Sequence, residues 1–151
     1  MKYLCEYVLL RAVDLFFLAL PHRTAIRCGE WLGDRLPGLL SKRHALILDN
    51  LARSFPDRTA EDRERIAREV WRNLGRTAVE FVRIGDYARR PIDELVTIEG
   101  RELMERALQE GKGVIIATVH FTNWEMTGSF IQRVFGSMTA IARPVHNPYV
   151  D

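Results

Sequence analysis

Cysteine is scarce. The 151 residues hold two, Cys5 and Cys28, and their separation matches neither a zinc site nor a redox motif. A disulfide framework is excluded, and reduced thiols with a cytosolic aspect are the simplest expectation. Charge of one sign is missing as well. Lysine and arginine leave a net charge of only +2, too little for a nucleic-acid footprint, although local clusters such as Arg89-Arg90 keep anionic lipid head groups among the candidate partners. No apolar run reaches the roughly 18 uncharged residues of a membrane span. Residues 4–20 come nearest, and Glu6, Arg11 and Asp14 interrupt them. A secretory leader is not expected, because only Lys2 is basic ahead of that segment and no small-residue cleavage site precedes Pro21. Internal repeats and low-complexity tracts are absent. With 47% hydrophobic and 28% charged residues, the chain has the material for one domain with a core, and disorder is excluded.

What the chain does have is helical periodicity. On a helical wheel Val8, Ala12, Leu15, Phe16 and Ala19 make a face without charge, which predicts a helix embedded in or lying on a membrane; a buried core helix is the competing reading. If the segment crosses a bilayer, Arg23 and Arg27 after it outweigh Lys2 before it and put the bulk of the chain in the cytoplasm. Residues 21–55 predict two short helices broken near Pro37-Gly38, the second starting at Ser41 and closed by Pro56. Thr59-Ala-Glu-Asp62 opens a longer helix, with Ile66, Val70, Leu74, Ala78 and Phe81 at helical spacing and a solvated face of arginine and glutamate. A short strand is expected at 96–98, and a helix at 101–109 with Leu103, Ala107 and Leu108 inward.

The chemistry is expected in residues 111–151. The Val- and Ile-rich run 114–119, preceded by Gly111 and Gly113, has the length and branching of a strand buried on both faces. His120 follows it directly. Thr122 is the expected N-cap of a helix running from Asn123 to Val134, ended by Gly136 and Ser137, and 138–142 reads as a second strand ending at Arg143. Strand, helix and strand of these lengths predict a right-handed βαβ crossover. His120, Glu125 and Arg143 would then converge on the rim where open α/β sheets bind ligands. Each has a plainer reading: His120 bonding a loop carbonyl, Glu125 completing a capping box with Thr122, Arg143 as a surface charge. A metal-dependent hydrolase built on His120, Glu125 and His146 lacks the spacing of the HExxH helix, and no cofactor or metal is expected.

His120-Phe-Thr-Asn-Trp-Glu125 resembles the histidine, four residues, glutamate motif of the bacterial lipid A biosynthesis acyltransferases, the lauroyl and myristoyl transferases. Gly111-Lys-Gly-Val114 ahead of it, Arg143-Pro144, Asn147-Pro148 and Asp151 after it, and Arg43 to Pro56 with Asn50-Leu51 and Phe55-Pro56 occur in the order that family shows. The resemblance implies an enzyme at the cytoplasmic face of the bacterial inner membrane. Its donor would be acyl carrier protein and its acceptor a glycolipid hydroxyl, with His120 and Glu125 catalytic and Arg143, Asn123 and Asn147 binding substrate. Acylation of another glycolipid, such as a phosphatidylinositol mannoside, and a non-enzymatic membrane-surface module stay open. The expected fold is therefore α/β. An amino-terminal helical layer precedes a βαβ unit of a parallel or mixed sheet, as in glycerolipid acyltransferases. Residues 1–20 would be the membrane-associated helix, and 21–151 the amino-terminal part of an acyltransferase domain whose remainder lies in a longer protein.

Overall fold

The turn residues divide the first part of the chain into helices. Pro21 separates α1 (Lys2–Ala19) from α2 (His22–Leu39), Leu40 separates α2 from α3 (Ser41–Ser54), and Phe55-Pro56 precedes α4 (Ala60–Val82). In this computed structural model residues 1–119, 123–141 and 146–150 are described. The chain forms two compact units, Met1–Arg83 and Ile84–Asp151.

Within the first unit α2 and α4 make the main contact, and they make it through absent side chains. Ala25, Gly29 and Gly33 recur every fourth residue on α2 and are buried, so they form one stripe. On α4 the facing stripe is Ala67, Trp71, Gly75 and Val79. A methyl group built on Gly75 would lie 2.1 Å from the Gly29 carbonyl oxygen, and one on Gly33 would lie 2.3 Å from that of Trp71. The contacts run in opposite order along the two helices, so they pack antiparallel with backbone against backbone. Phe17 of α1 joins Ala25 and Val79 at one end of this seam.

The apolar positions expected on the inner face of α4 lie one residue away from the true one. Val70, Leu74 and Phe81 are 43%, 51% and 50% exposed, whereas Ala67, Trp71 and Val79 are at most 4% exposed. Close approach by glycine selected the face, and hydropathy did not. The break expected near Pro37-Gly38 falls later, at Leu40: Pro37 sits in the last turn of α2, where it forgoes one i→i−4 bond, to the Gly33 carbonyl, and only two helical residues follow it. Thr59 does cap α4, its hydroxyl accepting the Asp62 N–H at 3.1 Å. On α1 only Phe17 is buried, and Val8, Ala12, Leu15, Phe16 and Ala19 all face outward.

Two helix ends and one turn are held by arginine. Arg83 donates to the carbonyls of Phe17 and Leu20 at the end of α1, at 2.9 and 2.8 Å. Arg63 donates to that of Arg58 at 2.7 Å in the turn after α3. In the second unit Arg133 donates to those of Tyr87 and Arg90 at 3.2 and 2.7 Å. The last carbonyls of a helix have no partner inside it, and a guanidinium meets both that need and the negative end of the helix dipole.

The second unit contains α5 (Ile84–Ala88), a 3-10 turn at Ile92–Glu94, α6 (Arg101–Gln109) and α7 (Trp124–Phe135). α6 has the bounds expected, but Leu103 and Leu108 are 60% and 39% exposed, so they do not form its inner face. The expected βαβ unit is corrected outright: no strand forms among the described residues. Residues 96–98, 114–119 and 138–141 adopt no regular structure, and Ile115, Val119 and Ile141 are 99%, 70% and 104% exposed. Strand propensity expresses the fit of a branched side chain to a pleated, half-buried surface. The branched residues here have no such surface to pack on, so the propensity is not realised and the fold is helical.

Candidate active site

α7 starts one residue later than its expected cap implies. Its N-cap is Asn123 and its first helical residue is Trp124. That register puts Glu125 at the second helical position, whereas a capping box requires the glutamate at the third. Glu125 is exposed in the first turn, where the positive end of the helix dipole favours a carboxylate. Asn123 is half-buried. Its side-chain amide points at the Met126 sulfur at 2.9 Å instead of capping a backbone N–H, and its carbonyl accepts the Thr127 N–H at 3.3 Å. At the other end Gly136, with φ 98°, ends the helix, a conformation that favours glycine. Arg133 in the last turn anchors α7 through the Tyr87 and Arg90 carbonyls.

Asn123 and Glu125 thus share one helix start. Asn147 is placed differently: it is buried, 9% exposed, and its side-chain oxygen accepts the Tyr149 N–H at 3.0 Å while its carbonyl accepts the Val150 N–H at 3.0 Å. That is an Asx turn, a structural use of a residue expected at the substrate. His120, the proposed cap Thr122, and Arg143 lie outside the described residues.

A second group of titratable residues, which sequence reasoning passed over, lies between α3 and α4. The indole N–H of Trp71 donates to His44 Nδ1 at 3.2 Å, and His44 Nε2 lies 3.1 Å from Glu64 Oε2. Indole nitrogen can only donate, so Nδ1 carries no proton and the Nε2–H tautomer donates to the carboxylate. Arg68 donates to the other Glu64 oxygen at 3.1 Å. The Arg68 guanidinium, and after it His44, hold the Glu64 carboxyl below the ordinary glutamate range, against the opposing effect of burial. The only legible signal was the spacing of Glu64, Arg68 and Trp71 on one helix; nothing in the sequence ties His44 to them.

Beside this network an open groove of about 690 Å³ is lined by Asp34, Arg65, Arg68 and Arg72 among others. Its arginines are already matched. Arg72 pairs with Asp34 at 3.5 Å and Glu69 at 3.2 Å, Arg68 with Glu64, and Arg65 with Asp62 at 2.8 Å, so the groove offers no unpaired cation to an anionic ligand. Arg65 also holds the Asp62 carboxyl below its usual range. Among the described residues no three histidine, cysteine, aspartate or glutamate side chains converge as metal ligands, and no helix is long and apolar enough to cross a membrane.

Comparison with known proteins bears on the same stretches. A lipid A biosynthesis palmitoleoyltransferase of Escherichia coli (strain K12) is 28% identical over 138 residues, covering 89% of this chain and 44% of the relative. A lipid A biosynthesis acyltransferase of Shigella flexneri matches to the same extent. One of Haemophilus influenzae is 23% identical over 125 residues, covering 83% and 38%. This chain therefore spans less than half the length of these relatives. No solved structure matches it. The family model for bacterial lipid A biosynthesis acyltransferases matches residues 2–151, essentially the whole chain, and the protein belongs to that family.

Proposed function

We propose that the protein containing this chain transfers a fatty acyl group from an acyl carrier protein thioester to a hydroxyl of a lipid A precursor, at the cytoplasmic face of the inner membrane. The observation that carries this reading is Glu125, an exposed carboxylate in the first turn of α7, five positions after His120 and in a register that frees it from capping.

The reaction needs a proton removed from the acceptor hydroxyl as its oxygen attacks the thioester carbon. A neutral imidazole does this near its own pKa, and general-base catalysis is worth about 10²–10⁴-fold. His120 takes that proton. Glu125 orients the ring and stabilises the imidazolium that forms. The carbon–sulfur bond breaks to release the carrier thiol, a good leaving group that requires no strong acid. Arg143 and Asn123 bind the anionic and polar parts of the substrates, and Asn147 shapes the turn that carries Tyr149. α1 rests on the membrane, which suits its outward Val8, Leu9, Leu15 and Phe16.

The test is transfer of labelled acyl groups from acyl carrier protein to lipid A precursors by the full-length protein. His120→Ala lowers turnover by about 10²-fold or more, and Glu125→Gln, which keeps size and polarity, lowers it while α7 stays folded. Near-normal turnover in both variants refutes the assignment.

A further inference from the structure

The charges of α2 are sorted by side. Its two acids both turn to α4: Glu30 pairs with Arg76, and Asp34 lies 3.5 Å from Arg72. Its arginines do not. Arg23, Arg27 and Arg35 are exposed, recur at multiples of four, and so occupy the side of the helix opposite the Ala25–Gly29–Gly33 stripe that packs on α4. None of them has a carboxylate partner among the described residues. The first turn of α3 adds exposed Lys42 and Arg43, equally without one, because the single acid of α3, Asp49, is taken by Arg53 at 2.9 Å. Apolar side chains are interleaved with these cations. Trp31 is 53% exposed under the Arg35 guanidinium, 4.9 Å from its ring centre, and Leu39 and Leu40 are 77% and 43% exposed.

We propose that this side of α2, continued by the first turn of α3, binds the anionic head groups of a bilayer. Charge complementarity sets the sign of the partner. The shape sets its class: the arginines extend about 18 Å along a convex helix side, farther than a single small anion reaches, with Trp31, Leu39 and Leu40 placed to enter the head-group boundary, where tryptophan is favoured. An acidic protein would match the cations but would leave those side chains without an apolar phase. The proposal deepens the membrane reading of α1, from which it differs in kind: α1 offers apolar contact to any bilayer, whereas α2 distinguishes an anionic one.

Binding of the purified full chain to vesicles of phosphatidylcholine, with and without phosphatidylglycerol, tests it. Each arginine near an anionic surface is worth about fivefold in partitioning. The triple variant Arg23→Gln, Arg27→Gln, Arg35→Gln therefore loses roughly 100-fold on phosphatidylglycerol vesicles, keeps its affinity for pure phosphatidylcholine, and the preference of the unaltered chain disappears in high salt. Should the variant lose helix content, the unaltered chain still decides. A phosphatidylglycerol preference that salt abolishes supports the proposal, and no preference overturns it. A variant that is folded and keeps the full preference overturns it too. Poly-glutamate bound more tightly than phosphatidylglycerol vesicles reassigns the surface to an acidic protein. Acyl transfer to a detergent-dispersed acceptor separates the readings: the triple variant retains it, and absence of transfer by the unaltered protein counts against the enzyme alone.

Discussion

One methyl group tests the seam that holds the first unit together. In Gly75→Ala the new Cβ would sit 2.1 Å from the Gly29 carbonyl oxygen, 2.8 Å from its carbon and 3.2 Å from the Gly33 nitrogen. All of these are backbone atoms, so no rotamer change relieves the clash and α2 must move away from α4. A separation of roughly 1 Å already forfeits a quarter to a half of each contact's dispersion energy, and overpacking of this kind costs up to about 3 kcal/mol. Alanine recovers about 1 kcal/mol through helix propensity. The net is about 2 kcal/mol of destabilisation, a fall of about 10 °C in Tm for a unit of this size, measured by circular dichroism at the helical band. Gly38→Ala is the control, because it also lies in α2 and its Cβ would meet nothing within 4 Å; there only the propensity gain remains, and Tm rises slightly. Gly29→Ala clashes with the same partner, at 2.6 Å from the Gly75 oxygen, so its loss and that of Gly75→Ala are not additive. Equal, positive shifts at Gly75 and Gly38 would refute backbone contact between α2 and α4.

Other perturbations read the polar contacts. Trp71→Phe removes the N–H that His44 Nδ1 accepts at 3.2 Å together with part of a buried bicyclic ring; a stability loss of about 1 kcal/mol for the bond plus the cost of the cavity is expected in denaturant titration, and no loss would show that the bond contributes nothing. Arg83→Gln withdraws the charged donor from the Phe17 and Leu20 carbonyls, a loss of about 2 kcal/mol. Hydrogen exchange should accelerate at the end of α1 before it does in α4, and uniform exchange would refute the anchoring. The Glu64 carboxyl is held low in the folded state by Arg68 and His44, so its contribution is complete above the ordinary glutamate value of about 4.3 and is lost as pH falls through the lowered folded value. Glu64→Gln should therefore flatten the acid limb of the stability curve below about pH 4. The effect is small because the side chain is 37% exposed and screened by solvent, and an unchanged limb would place the acid sensitivity elsewhere.

Helix existence was legible because it is local. Thr59 three residues before Asp62, Gly136 after an apolar run, and the 101–109 segment each carry their own start or stop, and α4, α7 and α6 follow them. Which side of a helix turns inward is a different question, decided by a partner distant in sequence. Counting apolar residues on α4 favoured Ile66, Val70 and Leu74, yet Gly75 carries no hydropathy signal at all and it, with Ala67, lets α2 come closest. The strands failed for the same reason in stronger form, since a ladder consists entirely of non-local bonds and the branching at 114–119 says only what a partner would find there. Glu125 shows how fine the margin is at a candidate site. Motif and capping box differ by one residue of helix register, and only the start of α7 at Trp124 separates a carboxylate available for chemistry from one bonded to its own backbone.

The arginines make the same distinction in charge. Their number predicts nearly nothing, because Arg83 and Arg133 close helix ends, Arg63 holds the turn before α4, and Arg68, Arg72 and Arg76 neutralise carboxylates. An electrostatic surface arises only where pairing stops. On α2 the pairing of Glu30 and Asp34 with α4 removes every acid from the outward side, so the seam that packs the helix also sorts its charge. A chain with a net charge of only +2 thereby presents a cationic side with almost no excess of cations in its composition.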